Sequence, residues 1–474
     1  MLRSFFKIVF FATLIFFSSW LIPYKTGINN LAIQSEDTLP AMFIPFSILK
    51  EGHIFLDSYY DMLISRYPHP DDKKQEEGFV PYYLRQTESG HFVSAFPIIT
   101  PLLALPIYFL PVIFGIAVTW ENVEILASLS SAFITALSGG FLYLLLRKHF
   151  FQEKDFQDIS FWEQKSFLLT AIYLFATINF AHISQALWQH GTVQLFTILA
   201  LLAYYSKKDF LLGLFFGLMF LSRPTSGIVL AVLGLLFLIN GFIKRHTLSF
   251  DITSNTSRGE RKFVCRLIPI VLGLALPALF FLWYNSTYYG TIANQGYSNQ
   301  ILTGWKSHFP EGFLGLWISP SKGILIYSPV FIFSIVGAYL VLKKWRHDPQ
   351  VLEYVAFIDI ILLHILVLGF WKHWYGGWSF GYRMASDILP FLILLLVPFV
   401  KSLYFQQYKK LFFILFGISV LVQFMGVIFF DGIWHAAYDD GFRETAWLWS
   451  VKDSEVAFNI RRALVKVGLR TSPF

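Results

Sequence analysis

The chain has 474 residues, of which 55% are hydrophobic, 19% aromatic and only 14% charged, and its mean hydropathy is +0.56. Soluble domains need a surface that is about a quarter or more charged, so this composition excludes an ordinary soluble domain. It predicts an all-α polytopic membrane protein. The net charge of +7 comes from short basic runs between apolar segments, a pattern typical of inner-leaflet anchoring, and we expect no nucleic acid partner. The single cysteine, Cys265, excludes an internal disulfide.

The N-terminus reads MLRSFFKIVFFATLIFFSSWLIPYK, in which basic residues precede an apolar run of about 16 residues, close to the length of a membrane span. A cleaved signal peptide is the alternative. No small-residue cleavage site follows cleanly, so we interpret the run as a retained signal-anchor. Further apolar segments of spanning length are found at 125–146, 167–184, 189–206, 209–222, 226–243, 267–284, 325–342, 353–370, 386–400 and 411–430.

Basic residues follow every second apolar segment, which predicts the orientation of the chain. Segment 97–118 breaks this alternation if it crosses the membrane. Its prolines recur every four or five residues and remove helical hydrogen bonds that lipid cannot replace, so we interpret it as juxtamembrane or re-entrant. The result is a single domain, 1–474, with about 11 spans, an internal N-terminus and an external C-terminal tail, 431–474. Cytoplasmic positions are predicted for Arg147 and Lys148, for Lys207 and Lys208, for the bases of 244–246, 258–262 and 343–346, and for Lys401, Lys409 and Lys410.

On this topology the polar stretches 23–96, 285–323 and 371–385 gather on the outer face. The first of them contains two adjacent acids, Glu36 and Asp37, shortly after the first span. An acid in an outer loop suggests chemistry on a substrate presented at the interface. The alternative is helix capping, because SEDTLPAMFIPFSILKEG also suits a helix that begins at Ser35 or Asp37.

Several motifs fall at the outer ends of spans and occur in a characteristic order. They are DTLPAMFIPFSILKEG, GHFVSAFPIITPLLALPIY, LWQHGTVQLF, GLFFGLMFLSRPTSGIVL, WYNSTYYGTIANQGYSNQ, EGFLGLWISPSKGILIYSPV and WYGGWSFGYRMASDILPF. Together they resemble the GT-C superfamily of integral membrane glycosyltransferases, in the polyprenyl-phosphate-sugar-dependent branch related to protein mannosyltransferases and aminoarabinose transferases. The resemblance covers nearly the whole chain.

The resemblance implies an enzyme that takes a sugar from a polyprenyl-phosphate donor and gives it to an extracytoplasmic lipid, glycan or protein acceptor. It implies a location in the bacterial inner (plasma) membrane, with the active face outside. The family places an acid in its first outer loop, and Asp37 in SEDT aligns with it, as general base or metal-site residue; Glu36 is the second choice. Because the Asp-x-Asp form of some relatives is missing, a divalent metal stays open as a cofactor. The juxtamembrane helices of the family match segment 97–118.

Three basic residues at outer span ends are the candidates for binding the donor phosphate, whose charge grows as it leaves: Arg223, Lys322 and Arg383. Each has an ordinary alternative. Arg223 suits a side chain that reaches the interface from a helix end, and Lys322 suits a solvated loop charge. Arg383 suits an ion pair with Asp387 four residues later on a helix.

Aromatic and histidine side chains at outer span ends are candidates for lining the substrate site. Trp374 and Trp378, next to two glycines, could stack on a sugar or line an isoprenoid groove, although an interfacial aromatic belt also explains them. Tyr327 belongs to the motif at 311–330, and His91 and His190 lie on the outer face, where histidines are also ordinary surface residues. Two isolated histidines do not make a metal site.

Two other functional classes stay open. A transporter or flippase of lipid-linked glycans should show an internal repeat and paired discontinuous helices, and we find no convincing repeat. A glycan polymerase or ligase should carry its functional bases in a large later outer loop and should not need the early acid.

Overall fold

Helices make up nearly all of the regular structure in the computed structural model, which describes residues 1–28, 35–66, 80–151, 159–248, 256–292, 296, 303–343, 351–440 and 443–474. The one small sheet pairs β1 (Leu84–Gln86) with β2 (Phe92–Ser94) in antiparallel register, Arg85 opposite Val93. The α-helices are α1 Leu2–Lys25, α2 Leu39–Glu51, α3 Tyr60–Arg66, α4 Ile99–Ile113, α5 Trp120–Leu145, α6 Ile159–Phe175, α7 Gln189–Tyr205, α8 Asp209–Ser222, α9 Gly227–Leu248, α10 Thr256–Tyr289, α11 Glu311–Ile318, α12 Ile324–Tyr327, α13 Ile332–Lys343, α14 Val351–Gly369, α15 Leu389–Lys401, α16 Leu403–Phe429, α17 Ile433–Tyr438 and α18 Glu455–Lys466.

Six stretches of helix in the described part of the chain are long and apolar enough to cross a membrane. This confirms an all-α membrane protein, while the predicted count of about 11 spans is not confirmed. The six are Leu2–Thr26, Trp120–Phe150, Val264–Tyr289, Val351–Gly369, Arg383–Lys401 and Leu403–Phe429. Shorter apolar helices are Ile99–Ile113, Asp209–Ser222, Pro224–Asn240 and Pro329–Lys343.

Two of the predicted spans are not continuous helices. Segment 167–184 breaks after Phe175, where a separate π-helical turn, Asn179–Ile183, carries buried polar side chains. Segment 325–342 breaks at Ser328, because the proline that follows removes a backbone donor. Both differences arise where hydropathy stays high although the regular α-helix is interrupted.

Several of the predicted basic loops meet at one end of the bundle. Ser4, near the start of α1, donates to Glu163 of α6 at 3.0 Å, and Tyr143, near the end of α5, donates to the same carboxylate oxygen at 3.0 Å. Lys148 donates to Ser206, just after α7, at 3.1 Å. The ends of α5 and α7 and the starts of α1 and α6 therefore lie together, with Arg147, Lys148, Lys207 and Lys208 beside them.

The opposite end of the bundle holds the first loop and α4. The Tyr24 hydroxyl donates to Glu124 at 2.7 Å, which joins the end of α1 to the start of α5. The start of α4 meets the start of α7 through Thr100 and Thr192, whose hydroxyl oxygens are 2.8 Å apart. Only a short connection, 114–119, separates the end of α4 from the start of α5. Both ends of α4 thus lie at the same end of the bundle.

The first loop packs on α4 and the start of α5 as a second hydrophobic cluster. Phe43 of α2 packs edge to face on Trp120, and Phe46 packs in the same way on Tyr108. The Tyr108 hydroxyl also donates to the carbonyl oxygen of Met42 at 3.1 Å. This packing anchors α2, and with it the short 3-10 helix Glu36–Thr38 that precedes α2.

Glycines allow α8 and α10 to approach closely. A Cβ atom added to Gly213 would lie 1.9 Å from the carbonyl oxygen of Ile270, and one added to Gly273 would lie 2.1 Å from that of Phe210. Backbone-to-backbone contact through small residues is the usual way in which membrane helices gain packing energy. Arg266 and Asp209 add a two-bond ion pair, at 2.7 and 3.0 Å, to this helix pair.

The tail at 431–474 packs on the bundle through α18, which contacts α16. Two acids of the tail pair with its basic residues. Arg462 pairs with Asp431 at 2.7 Å and Arg461 with Asp453 at 3.0 Å. The buried side of the helix consists of Glu455, Phe458, Asn459 and Ala463.

Candidate functional site

Asp37 lies between a phenol and a guanidinium that come from distant parts of the chain. The Tyr82 hydroxyl donates to Oδ1 of Asp37 at 2.9 Å, and Nη1 of Arg383 donates to Oδ2 at 2.7 Å. The Asp37 side chain is 27% exposed and that of Arg383 is 12% exposed. The carboxylate is therefore both held in place and reachable from outside.

The local cap is Ser35 and not Asp37. The Ser35 hydroxyl accepts from the backbone N–H of Asp37 at 3.3 Å, which begins the 3-10 helix Glu36–Thr38. The capping alternative for Asp37 is thus wrong, because its carboxylate points to Tyr82 and Arg383. Glu36 lies beside Asp37 on the same turn. Burial, and after it the charges of Asp37 and Glu36, raise the pKa of Tyr82. The phenol consequently remains a proton donor at neutral pH.

Arg383 follows the glycine- and tryptophan-rich loop, at the start of a 3-10 helix, Arg383–Ile388. Its guanidinium lies over the Trp188 ring at 4.5 Å, and its Nε is buried without a hydrogen-bond partner among the described residues. The alternative pairing with Asp387 is wrong. In a 3-10 helix, positions three apart share a side, so Asp387, four residues on, points elsewhere.

Asp387 points into the bundle, where it contacts one arginine and two histidines. Nη1 of Arg223 lies 2.6 Å from Oδ2 and Nδ1 of His190 lies 2.7 Å from Oδ1, while Nε2 of His364 is 3.9 Å away. Asp387 is 0% exposed and the Arg223 side chain 11% exposed. Arg223 therefore does not reach out to the interface; it neutralises a buried acid, which is costly to leave unpaired.

Lys322 lies in a second buried cluster that joins the loop at 371–385 to the tail. Its ammonium is 3.3 Å from both carboxylate oxygens of Glu455, and both side chains are 0% exposed. Glu455 also accepts from the Tyr327 hydroxyl at 2.5 Å and from the backbone N–H of Gly381 at 2.8 Å. The solvated-loop alternative for Lys322 is therefore wrong.

Burial is the largest influence on the protonation of this pair. It lowers the pKa of Lys322 and raises the pKa of Glu455, and each partner opposes the shift of the other. His435, 3.2 Å from the Lys322 ammonium, has its pKa lowered by burial and then by that cation. His435 is therefore neutral at neutral pH.

The remaining predicted lining residues lie in different surroundings. His91 is 48% exposed, lies 3.4 Å from Asp57 and stacks on Phe55, so it belongs to the hairpin surface. Trp374 is fully buried. Trp378 is 39% exposed and donates to Asp439 at 2.9 Å, which leaves it as the exposed aromatic of that loop.

Three residues of these clusters were missed as functional candidates in the sequence. Tyr82 lies in a long polar loop without periodicity, so no local signal marks it. Asp387 was considered only as a partner of its neighbour. Glu455 does have a signal in the sequence, because it follows a helix cap. The Ser454 hydroxyl accepts from the backbone N–H of Ala457 at 3.3 Å, and Glu455 faces inward from the first turn of that helix.

Within the described ranges, no group of three His, Cys, Asp or Glu side chains is placed to hold a metal ion. Comparison of the chain with protein-family models, with curated protein sequences and with solved structures found no match. The fold and composition define the class, an all-α integral membrane protein with a buried polar cluster at one end of its helices.

Proposed function

We propose that the chain is a membrane glycosyltransferase of the GT-C type, which transfers a hexose or pentose from a polyprenyl-phosphate donor to an extracytoplasmic lipid, glycan or protein acceptor. The observation that carries this proposal is the Tyr82–Asp37–Arg383 triad, which joins the first-loop acid to a basic residue of the last large loop. A partly exposed carboxylate next to a cation suits a reaction that needs both a base and a phosphate ligand. The triad supports this reading together with the order of motifs.

Asp37 and Arg383 have separate roles in the proposed chemistry. Asp37 takes the proton from the acceptor hydroxyl as its oxygen forms a bond to the anomeric carbon. The bond from that carbon to the phosphate oxygen breaks, and its electron pair leaves with the polyprenyl phosphate. Arg383 stabilises the growing charge on this phosphate, and it is held for this by the Trp188 ring. Tyr82 orients the carboxylate.

Arg223 and Lys322 have supporting roles in this proposal. Each already neutralises a buried carboxylate, Asp387 or Glu455, so a phosphate would have to displace that acid. We assign them to holding the loops around Arg383. The active face then lies at the outer surface of a bacterial inner membrane, where lipid-linked sugar and acceptor meet.

The test is a transfer assay on membranes that contain the full chain, supplied with a panel of radiolabelled polyprenyl-phosphate sugars. Label is followed into lipid, glycan and protein fractions. Asp37→Asn should lower transfer by about a hundredfold or more, because a positioned base typically supplies that factor. Arg383→Gln should cost about 1.5–3 kcal/mol, the range for a charged hydrogen bond, seen as weaker donor use.

Two matched variants make this test specific. Asp57→Asn removes another first-loop acid, whose partner is the exposed His91, and should leave transfer unchanged. Glu36→Gln tests the neighbour of Asp37. If Glu36→Gln abolishes transfer while Asp37→Asn keeps it, the base is Glu36. Transfer that survives both variants would contradict the proposed chemistry.

A lipid-linked-glycan transporter or flippase is the second candidate, favoured by the buried Arg223–Asp387–His190 cluster. Ionisable groups inside a membrane bundle often mark a transport path. An assay of glycolipid translocation in vesicles separates the two classes. Loss of translocation in Asp387→Asn, with no sugar transfer by the wild type under any donor, would favour the transporter over the enzyme.

A further inference from the structure

A cavity of about 560 Å³ opens at the end of α1, apart from the triad. Its lining residues come from the chain after α1 and from the tail: Thr26, Gly27, Ile28, Asp431, Ile433, Arg462 and Lys466. The helices α1 and α16, which end just before Thr26 and Asp431, are both candidate spans. The cavity therefore adjoins the ends of two candidate spans.

The charged lining of this cavity is unbalanced. Nε of Arg462 and Nζ of Lys466 share one carboxylate oxygen of Asp431, at 2.7 and 3.2 Å. Two cations thus face one acid, which leaves one positive charge. Lys466 also donates to the carbonyl oxygen of Phe429 at 3.4 Å.

Arg462 uses only part of its donor set. Nε donates to Asp431, whereas its two terminal nitrogens donate to no other group among the residues that the structure describes. The side chain is 22% exposed and that of Lys466 is 15% exposed. A guanidinium held by Nε presents its terminal N–H groups in a fixed fork, which matches the oxygens of a phosphate.

We propose that this cavity binds an anionic phosphate group, with the terminal nitrogens of Arg462 and the ammonium of Lys466 on the phosphate oxygens. The volume lies within the range of small-molecule sites, and the net charge of the lining matches a phosphodiester. Such an anion reaches the cavity either as the headgroup of an anionic phospholipid or as free phosphate. The site is independent of the proposed transferase chemistry, since neither Asp37 nor Arg383 lines it.

The experiment uses the full chain purified in detergent. Binding of phosphatidylglycerol is counted by native mass spectrometry and compared with phosphatidylcholine, and the unfolding temperature is recorded for each lipid and for inorganic phosphate against chloride at equal ionic strength. We expect phosphatidylglycerol to bind and to raise the unfolding temperature. Competition by inorganic phosphate would identify a site for free phosphate; retention of the lipid at high phosphate would identify a headgroup site.

Variants link the binding to the cavity. Arg462→Gln combined with Lys466→Gln should weaken phosphatidylglycerol binding at least tenfold. Arg470→Gln is the control, because this tail arginine is exposed and donates to the terminal Phe474 carbonyl oxygen. Ile28→Trp fills the cavity without removing a charge and should also prevent binding. This variant keeps the proposal testable if the double variant fails to fold. Equal binding by wild type, the double variant and Ile28→Trp, or no binding by the wild type, would overturn the proposal.

Discussion

Breaking the pair between Lys322 and Glu455 should destabilise the protein far more than breaking a surface pair. Both side chains are fully buried, and Glu455 also holds Tyr327 and the backbone of Gly381. Removing one partner of a buried pair leaves an uncompensated charge and costs about 3–5 kcal/mol. We therefore expect Lys322→Met and Glu455→Gln each to lower the free energy of unfolding by about this amount.

The double variant is the sharper measurement. With both charges gone, no buried ion is left without its partner, so Lys322→Met with Glu455→Gln should cost about 2–3 kcal/mol less than the sum of the single variants. The free energies come from denaturant titrations in mixed micelles, followed by tryptophan fluorescence. The control cycle uses Arg461→Gln and Asp453→Asn, a partly exposed pair whose coupling should stay below about 1 kcal/mol. Additivity within about 0.5 kcal/mol at Lys322 and Glu455 would refute the reasoning.

Two further predictions concern topology and pH. In a Cys265→Ser background, a cysteine at the exposed Asp61 should react with an impermeant label from outside, and one at the exposed Lys208 only after permeabilisation; outside labelling at position 208 would contradict the predicted orientation. Burial, with Lys372 and Arg383 as smaller causes, lowers the pKa of His373 to about 4. Between about pH 6.5 and 4 the unfolded chain binds a proton that the folded chain does not, so this histidine should reduce stability as the pH falls, by up to about 1.4 kcal/mol per pH unit. His373→Gln should reduce the pH dependence of the unfolding free energy by this amount. If the variant and the wild type show the same pH dependence, His373 does not contribute to it.

The helices were predictable where apolar runs are uninterrupted. Segment 189–206 corresponds to Gln189–Tyr205 and segment 353–370 to Val351–Gly369, because burial and lipid exposure both demand apolar side chains along a whole helix. The break after Phe175 was not predictable from hydropathy. Near it, the buried side-chain amide of Asn179 donates to the carbonyl oxygen of Tyr173 at 3.1 Å, a contact that a hydropathy pattern does not encode.

The sequence identified several residues of the candidate site but not which of them contact each other. Asp37 and Arg383 were both singled out, yet they are 346 positions apart and only the fold reveals their contact. Lys322 and Arg223 were chosen as cations at the ends of predicted spans, but in the structure their partners are the buried acids Glu455 and Asp387. Glu455 was overlooked because an amphipathic helix with three basic residues, Arg461, Arg462 and Lys466, suggests a headgroup surface before it suggests a buried carboxylate.

The close approach of α8 and α10 has a consequence for how the bundle assembles. Most of α10 is covered by no other part of the described chain. Contact of its apolar sides with lipid therefore does not fix the position of the helix along its axis. Gly213 and Gly273 remove that freedom. A Cβ atom at either position would clash with the backbone of the other helix, so α8 and α10 approach this closely only because glycines stand at these two points. The absence of two side chains, together with the ion pair between Arg266 and Asp209, thus fixes the register of α10 against α8.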